Sequence, residues 1–119
     1  MSTVKVDTLV ASDGTSPVTL TKQHAGKAWV KGSNAAALSG SFNFSSGTDN
    51  GTGQYTYNYT NNMNDSLYAI AVTCHSAGIS EVSETNQTTS AYKVQCFNRT
   101  SLGSFTDVAN YGTIHGDLA

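Results

Sequence analysis

Three histidines, two cysteines and eight carboxylates are the side chains here that could do chemistry. His24, His75 and His115 are far apart, and no Gly-x-Ser-x-Gly elbow or other triad setting surrounds a Ser or Cys. Cys74 and His75 are adjacent. Neighbours in a strand point to opposite faces, which argues against a Cys–His nucleophile pair. Paired carboxylates could hydrolyse a polysaccharide. The candidates are Asp49, Asp65, Glu81 and Glu84, and the first two lie in turns whose chemistry already accounts for them. One His115 or His24 from each of three chains could surround an axial ion, but no His-x-His spacing supports this. Calcium in the Asp49–Gly53 turn has a simpler competitor, since a hairpin needs Asp-Asn-Gly there anyway. The glycine-rich turns lack the following helix and Lys of a phosphate cradle. The expectation is a protein that is not an enzyme, with no catalytic residue, no metal site and no cofactor.

Cys74 and Cys96 sit in strand-like runs and read as two buried thiols, with a late disulfide as the alternative. Tyr55, Tyr57 and Tyr59 alternate along one face. Buried, they are one side of a sheet or a subunit contact; exposed, they are an aromatic platform for surface recognition of sugars or a protein partner. Asn-x-Ser/Thr triplets such as Asn58-Tyr59-Thr60 reflect composition in so Asn- and Thr-rich a chain.

The elements that must hold these residues are strands. Of 119 residues, 12% are charged and 38% apolar, with a net charge of −2. That charge is about half the usual share. Ser, Thr, Asn and Gly take its place and suit turns and sheet faces. Disordered chains combine low hydrophobicity with high net charge, so this one reads as folded. Six scattered cations give no patch for nucleic acid. No apolar run approaches the ~20 residues of a membrane span, and the start lacks a signal peptide's apolar core, so no membrane insertion is expected.

Period-two alternation recurs, and helix signals are nearly absent. Val18 and Leu20 begin one strand-like piece, and Ala28-Trp29-Val30 forms another, with the only tryptophan expected to anchor the core. Ala36, Leu38, Phe42 and Phe44 are placed on one face. Residues 42–60 form the firmest hairpin, turning at Asn50-Gly51. Tyr68, Ile70, Val72 and Cys74 line a central-looking strand. A short strand near Ile79–Val82, another at Ala91–Phe97, and a last one from Phe105 to His115 complete the set. Seven or eight strands at this spacing predict an all-β antiparallel sandwich of jelly-roll-like type over residues 27–119. Residues 1–26 read as an extended N-terminal arm. Val4, Val6 and Val10 share a face there that so short a segment cannot bury alone. Association as a homotrimer would cover it around an axis.

Several segments carry a resemblance. Ser2-Thr3-Val4-Lys5-Val6-Asp7-Thr8-Leu9, Pro17 to Gln23, Lys27-Ala28-Trp29-Val30, Ser41 to Ser46, Thr48 to Thr56, Asn62-Met63, Tyr68-Ala69 and Gly116-Asp117-Leu118-Ala119 resemble small tail-fibre-type proteins of marine bacteriophages. Phe42–Thr56 and Lys27–Val30 are the most specific parts. The resemblance implies a β-rich, trimeric virion structural protein displayed on the particle surface after assembly in the host cytoplasm. Its implied partners are other virion proteins of the tail or capsid and a host cell-surface glycan or protein. Many such proteins are longer, with this pattern as a terminal domain. The alternative expectation is therefore a capsid decoration or head-fibre protein, anchored to the shell through its arm.

Overall fold

The computed structural model describes residues 26–76 and 78–119. The arm's Val4, Val6 and Val10 lie outside the described residues, as does His24.

Among the described residues, eight antiparallel strands form two four-stranded sheets. They are β1 (Gly26–Gly32), β2 (Leu38–Phe42), β3 (Phe44–Asp49), β4 (Gln54–Tyr59), β5 (Ala69–Cys74), β6 (Gly78–Val82), β7 (Ala91–Asn98) and β8 (Asn110–His115). The first sheet has the order β2-β1-β8-β5 and the second β3-β4-β7-β6. The one helical element among the described residues is a 3-10 turn at Glu84–Asn86. The expected all-β antiparallel sandwich is therefore present.

Alternation decides which side chains enter the core. In β4 the tyrosines at 55, 57 and 59 are buried, while Gln54, Thr56 and Asn58 are only partly covered. In β7 Tyr92, Val94 and Cys96 point inward in the same register. Ala28, Val30 and Ile114 meet them from the first sheet. Large rings in the second sheet face small residues in the first. A Cβ on Gly32 would collide with the Tyr57 hydroxyl, and one on Gly112 with the Tyr92 hydroxyl. Phe44, Tyr57, Tyr59, Tyr68 and Tyr92 form one ring cluster, with Phe44 stacked on Tyr59 at 4.9 Å and Tyr68 edge-on to Tyr59 at 5.8 Å. Such contacts add about 0.5–1.5 kcal/mol per pair beyond simple burial.

Several sequence expectations need correction. Phe42 and Phe44 do not share a face. Asn43, at φ 61°, breaks the run and sends β2 and β3 into different sheets. Its side chain makes this corner stable: Asn43 Oδ1 accepts from Asn61 N at 2.7 Å, and Asn43 Nδ2 donates to the Asn61 carbonyl at 3.0 Å. Ala36 and Leu38 do not extend one strand either, because a turn with Ala36 at φ 59° precedes β2. The central-looking strand β5 is an edge strand, with β1 and β8 in the centre. Its inward side chains are only half-buried for that reason. The last strand starts at Asn110. Phe105 makes only an isolated bridge to Phe97 and stacks on it at 4.8 Å.

Candidate functional site on the outer face of the first sheet

Trp29 is not the core anchor its size suggested; it is 47% exposed. Its neighbours explain this. β1 reads Lys27-Ala28-Trp29-Val30-Lys31, and Ala28 and Val30 take the inward positions. Trp29 therefore shares the outer face with both lysines. Its direct partner across β2 is Phe42, 54% exposed, and across β8 Thr113, which in turn pairs with Ala71 of β5. The next row along the sheet is Gly40, Lys31, Tyr111 and Thr73. The indole lies over Gly40: a Cβ there would sit 3.5 Å from its ring.

Two aromatic residues thus occupy partner positions on the outer face, both partly exposed, with Gly40, Thr113 and Ala71 beside them and Lys31 and Tyr111 in the next row. The four strands of this sheet contain Lys27, Lys31 and His115 but no carboxylate. Past Lys31 an open groove of about 400 Å³ runs along the end of the sandwich. It is lined by Ser33, Asn34, Ser39, His75, Ser76 and Asp107 among others, so hydroxyl, amide and charged groups adjoin the aromatic rows. Asp107 is partly occupied within the fold, since its Oδ1 accepts from Gly53 N at 2.7 Å and from the Tyr55 hydroxyl at 3.2 Å. The arrangement can hold a ring-shaped or extended ligand by stacking and hydrogen bonding.

Tyr55, Tyr57 and Tyr59, expected as a possible recognition platform, are inside. Of their two readings, the sheet-core one matches the burial, and the surface-recognition one does not. The physical reason is the packing around each ring: Gly32 of the facing sheet receives the Tyr57 ring end, the Tyr55 hydroxyl reaches Asn34 and Asp107, and Tyr59 lies against Phe44 and Tyr68. Burial raises the pKa of the Tyr57 hydroxyl to about 12, against the opposing effect of its hydrogen bond to Asn110. The Tyr55 hydroxyl is raised by burial and then by nearby Asp107.

The other candidates are not brought together. Cys74 faces inward to Cys96, while His75 lines the groove. His115 stands on the outer face of β8. Asp49 holds its own turn by accepting from Gly51 N at 2.9 Å, and Asp65 does the same for Leu67 N at 2.8 Å. Among the described residues, no three His, Cys, Asp or Glu side chains gather where a metal ion could be held. No described helix is long and apolar enough to cross a membrane.

Trp29 and Phe42 were missed as surface residues. For Trp29 the signal was present: a Trp between two Lys at period two belongs to the lysine face. Phe42 had no such signal, because its direction depends on the corner at Asn43. Comparison with family models, curated proteins and solved structures finds no match for this chain.

Proposed function

We propose that the chain is a non-enzymatic bacteriophage virion structural protein of tail-fibre type, and that its Trp29–Phe42 face meets the host-cell surface. The observation that carries the binding role is the exposure of these paired rings on a sheet face without carboxylates. Apolar surface left in contact with water in this way marks sites of interaction. Aromatic faces suit the C–H surfaces of sugars, and Lys27 and Lys31 on the same face favour an acidic polysaccharide. The phage assignment is supported by the resemblance of Lys27–Val30 and Phe42–Thr56. The first of these blocks, and the start of the second, contain the platform residues.

The finer architecture belongs to the same proposal. Eight strands, four to a sheet, are the count of a jelly-roll-like sandwich. Residues 1–26 serve as the arm that joins three copies and attaches them to other virion proteins, with Val4, Val6 and Val10 packed around the axis.

Trp29 is the only tryptophan, so its fluorescence reports on this face alone. Titration with polysaccharide from susceptible host cells should shift and quench its emission, and Trp29→Ala or Phe42→Ala should abolish cell binding while the fold persists. Sedimentation should give a trimer. Unchanged emission together with full cell binding by both variants would remove this face from recognition. Binding to empty heads and not to cells would favour the capsid-decoration role. An emission shift on dilution into monomers would assign the face to subunit contact.

A further inference from the structure

We propose that Cys74 and Cys96 form a disulfide that staples the two sheets together once the protein leaves reducing surroundings. The two residues lie on β5 and β7, strands that are neighbours in neither sheet, yet Cys74 Sγ lies 2.7 Å from Cys96 Sγ. Both thiols are free, Cys96 fully buried and Cys74 half-buried. Two sulfurs in direct contact need only a small side-chain adjustment to bond. Among the described residues no third metal-ligating side chain joins them, so the pair does not read as part of a metal centre. Gly78 packs beside Cys74, where a Cβ would sit 2.8 Å from Cys74 Cβ and 3.2 Å from its Sγ, so this side of the thiol is covered while the residue as a whole stays half-buried.

The difference in exposure sets the order of events. Cys74, reachable from outside, loses its proton and attacks a low-molecular-weight disulfide such as oxidised glutathione. It forms a mixed disulfide and releases one glutathione thiol. The Cys96 sulfur then gives up its proton, attacks the Cys74 sulfur and expels the second glutathione. Two protein thiols are oxidised, one external disulfide is reduced to two thiols, and the protein loses two hydrogens. Burial holds the Cys96 thiol protonated, so the second step is the slower one. The bond would tie β5, an edge strand, to the interior of the opposite sheet, whatever the partner of the Trp29 face.

The test uses the full chain, purified with reductant and then exchanged into oxidised glutathione without denaturant. Thiol titration should fall from two to zero, with a mass loss of two hydrogens and no covalent dimer. Trypsin should then release peptides 32–93 and 94–99 as a linked pair. The melting temperature should rise by about 10 °C and fall back on reduction. Cys74→Ser, at the more exposed position, should fold, keep one buried thiol and show no such rise. Two thiols surviving in the folded protein, bonding only after denaturation, cross-linking between chains, or an unchanged melting temperature after bonding would each overturn the proposal.

Discussion

Tyr57 and Tyr92 are buried alike, but their hydroxyls have different surroundings. Tyr57 Oη donates to Asn110 Oδ1 at 2.9 Å, whereas Tyr92 Oη has no hydrogen-bond partner among the described residues. A hydrogen bond lost in the interior costs more than one never made. Tyr57→Phe should therefore destabilise by about 1–2 kcal/mol, since it strands the Asn110 carbonyl, while Tyr92→Phe should be neutral or stabilising. Urea unfolding of the two variants measures the contrast, and equal losses would contradict it. Asn43 gives a second case at this scale. It combines a left-handed backbone with two side-chain hydrogen bonds to Asn61. Asn43→Val loses the bonds and strains the corner, at a cost of about 2–4 kcal/mol, whereas Asn43→Gly relieves the backbone and should cost less. Denaturant midpoints for the pair separate the two contributions.

At the scale of elements, the β3–β4 hairpin shows how a local signal and a tertiary demand divide a turn between them. Asn50-Gly51 predicts a tight two-residue turn. The observed connection spans four residues, Asn50 to Gly53, and its left-handed residues are Gly51 and Gly53. Gly53 is special because the chain there presses on β7 and the segment before β8. A Cβ would collide with the Cys96 carbonyl and come within 2.8 Å of Thr106 backbone atoms. At Gly51 the space is open. Gly53→Ala should cost at least about 2 kcal/mol, and Gly51→Ala less, because only its backbone angle is strained. Thermal melts of the two variants test the ranking. The segment before the last strand meets this turn at Thr106 and Asp107, the latter accepting from Gly53 N at 2.7 Å, instead of entering the sheet.

For the whole molecule, the core is built from tyrosines, and this makes stability sensitive to alkali. Burial raises the hydroxyl pKa of Tyr55, Tyr57, Tyr59, Tyr68 and Tyr92 above the ordinary value of 10.0, with Tyr57 pushed up to about 12. A group whose folded pKa is raised keeps its proton longer folded than unfolded. Its contribution is complete below the unfolded value and declines as pH rises from there towards the folded value. The protein should hold its stability up to about pH 10 and then lose it steeply, with most tyrosinate absorbance appearing together with loss of tertiary structure. Stepwise ionisation of a protein that stays folded would show the tyrosines to be accessible.

Sequence alone was enough to indicate the all-β class and the inner faces of strands such as β4 and β7, though not the break at Asn43 or the start of the last strand. Alternation in Gln54–Tyr59 and Ala91–Asn98 assigns each side chain to one side, because successive residues in a strand point opposite ways. Even the outward position of Trp29 was written between its two lysines, and the size of the indole obscured it. Tertiary structure decided which strands are neighbours and where the chain changes sheet. It put β5 at an edge, turned Phe42 away from Phe44 at Asn43, and brought the platform rows and the two cysteines together from distant segments. Those choices depend on packing one sheet against another, with Gly32 and Gly112 receiving the tyrosine hydroxyls. Periodicity along a single strand contains no information about the sheet that will face it.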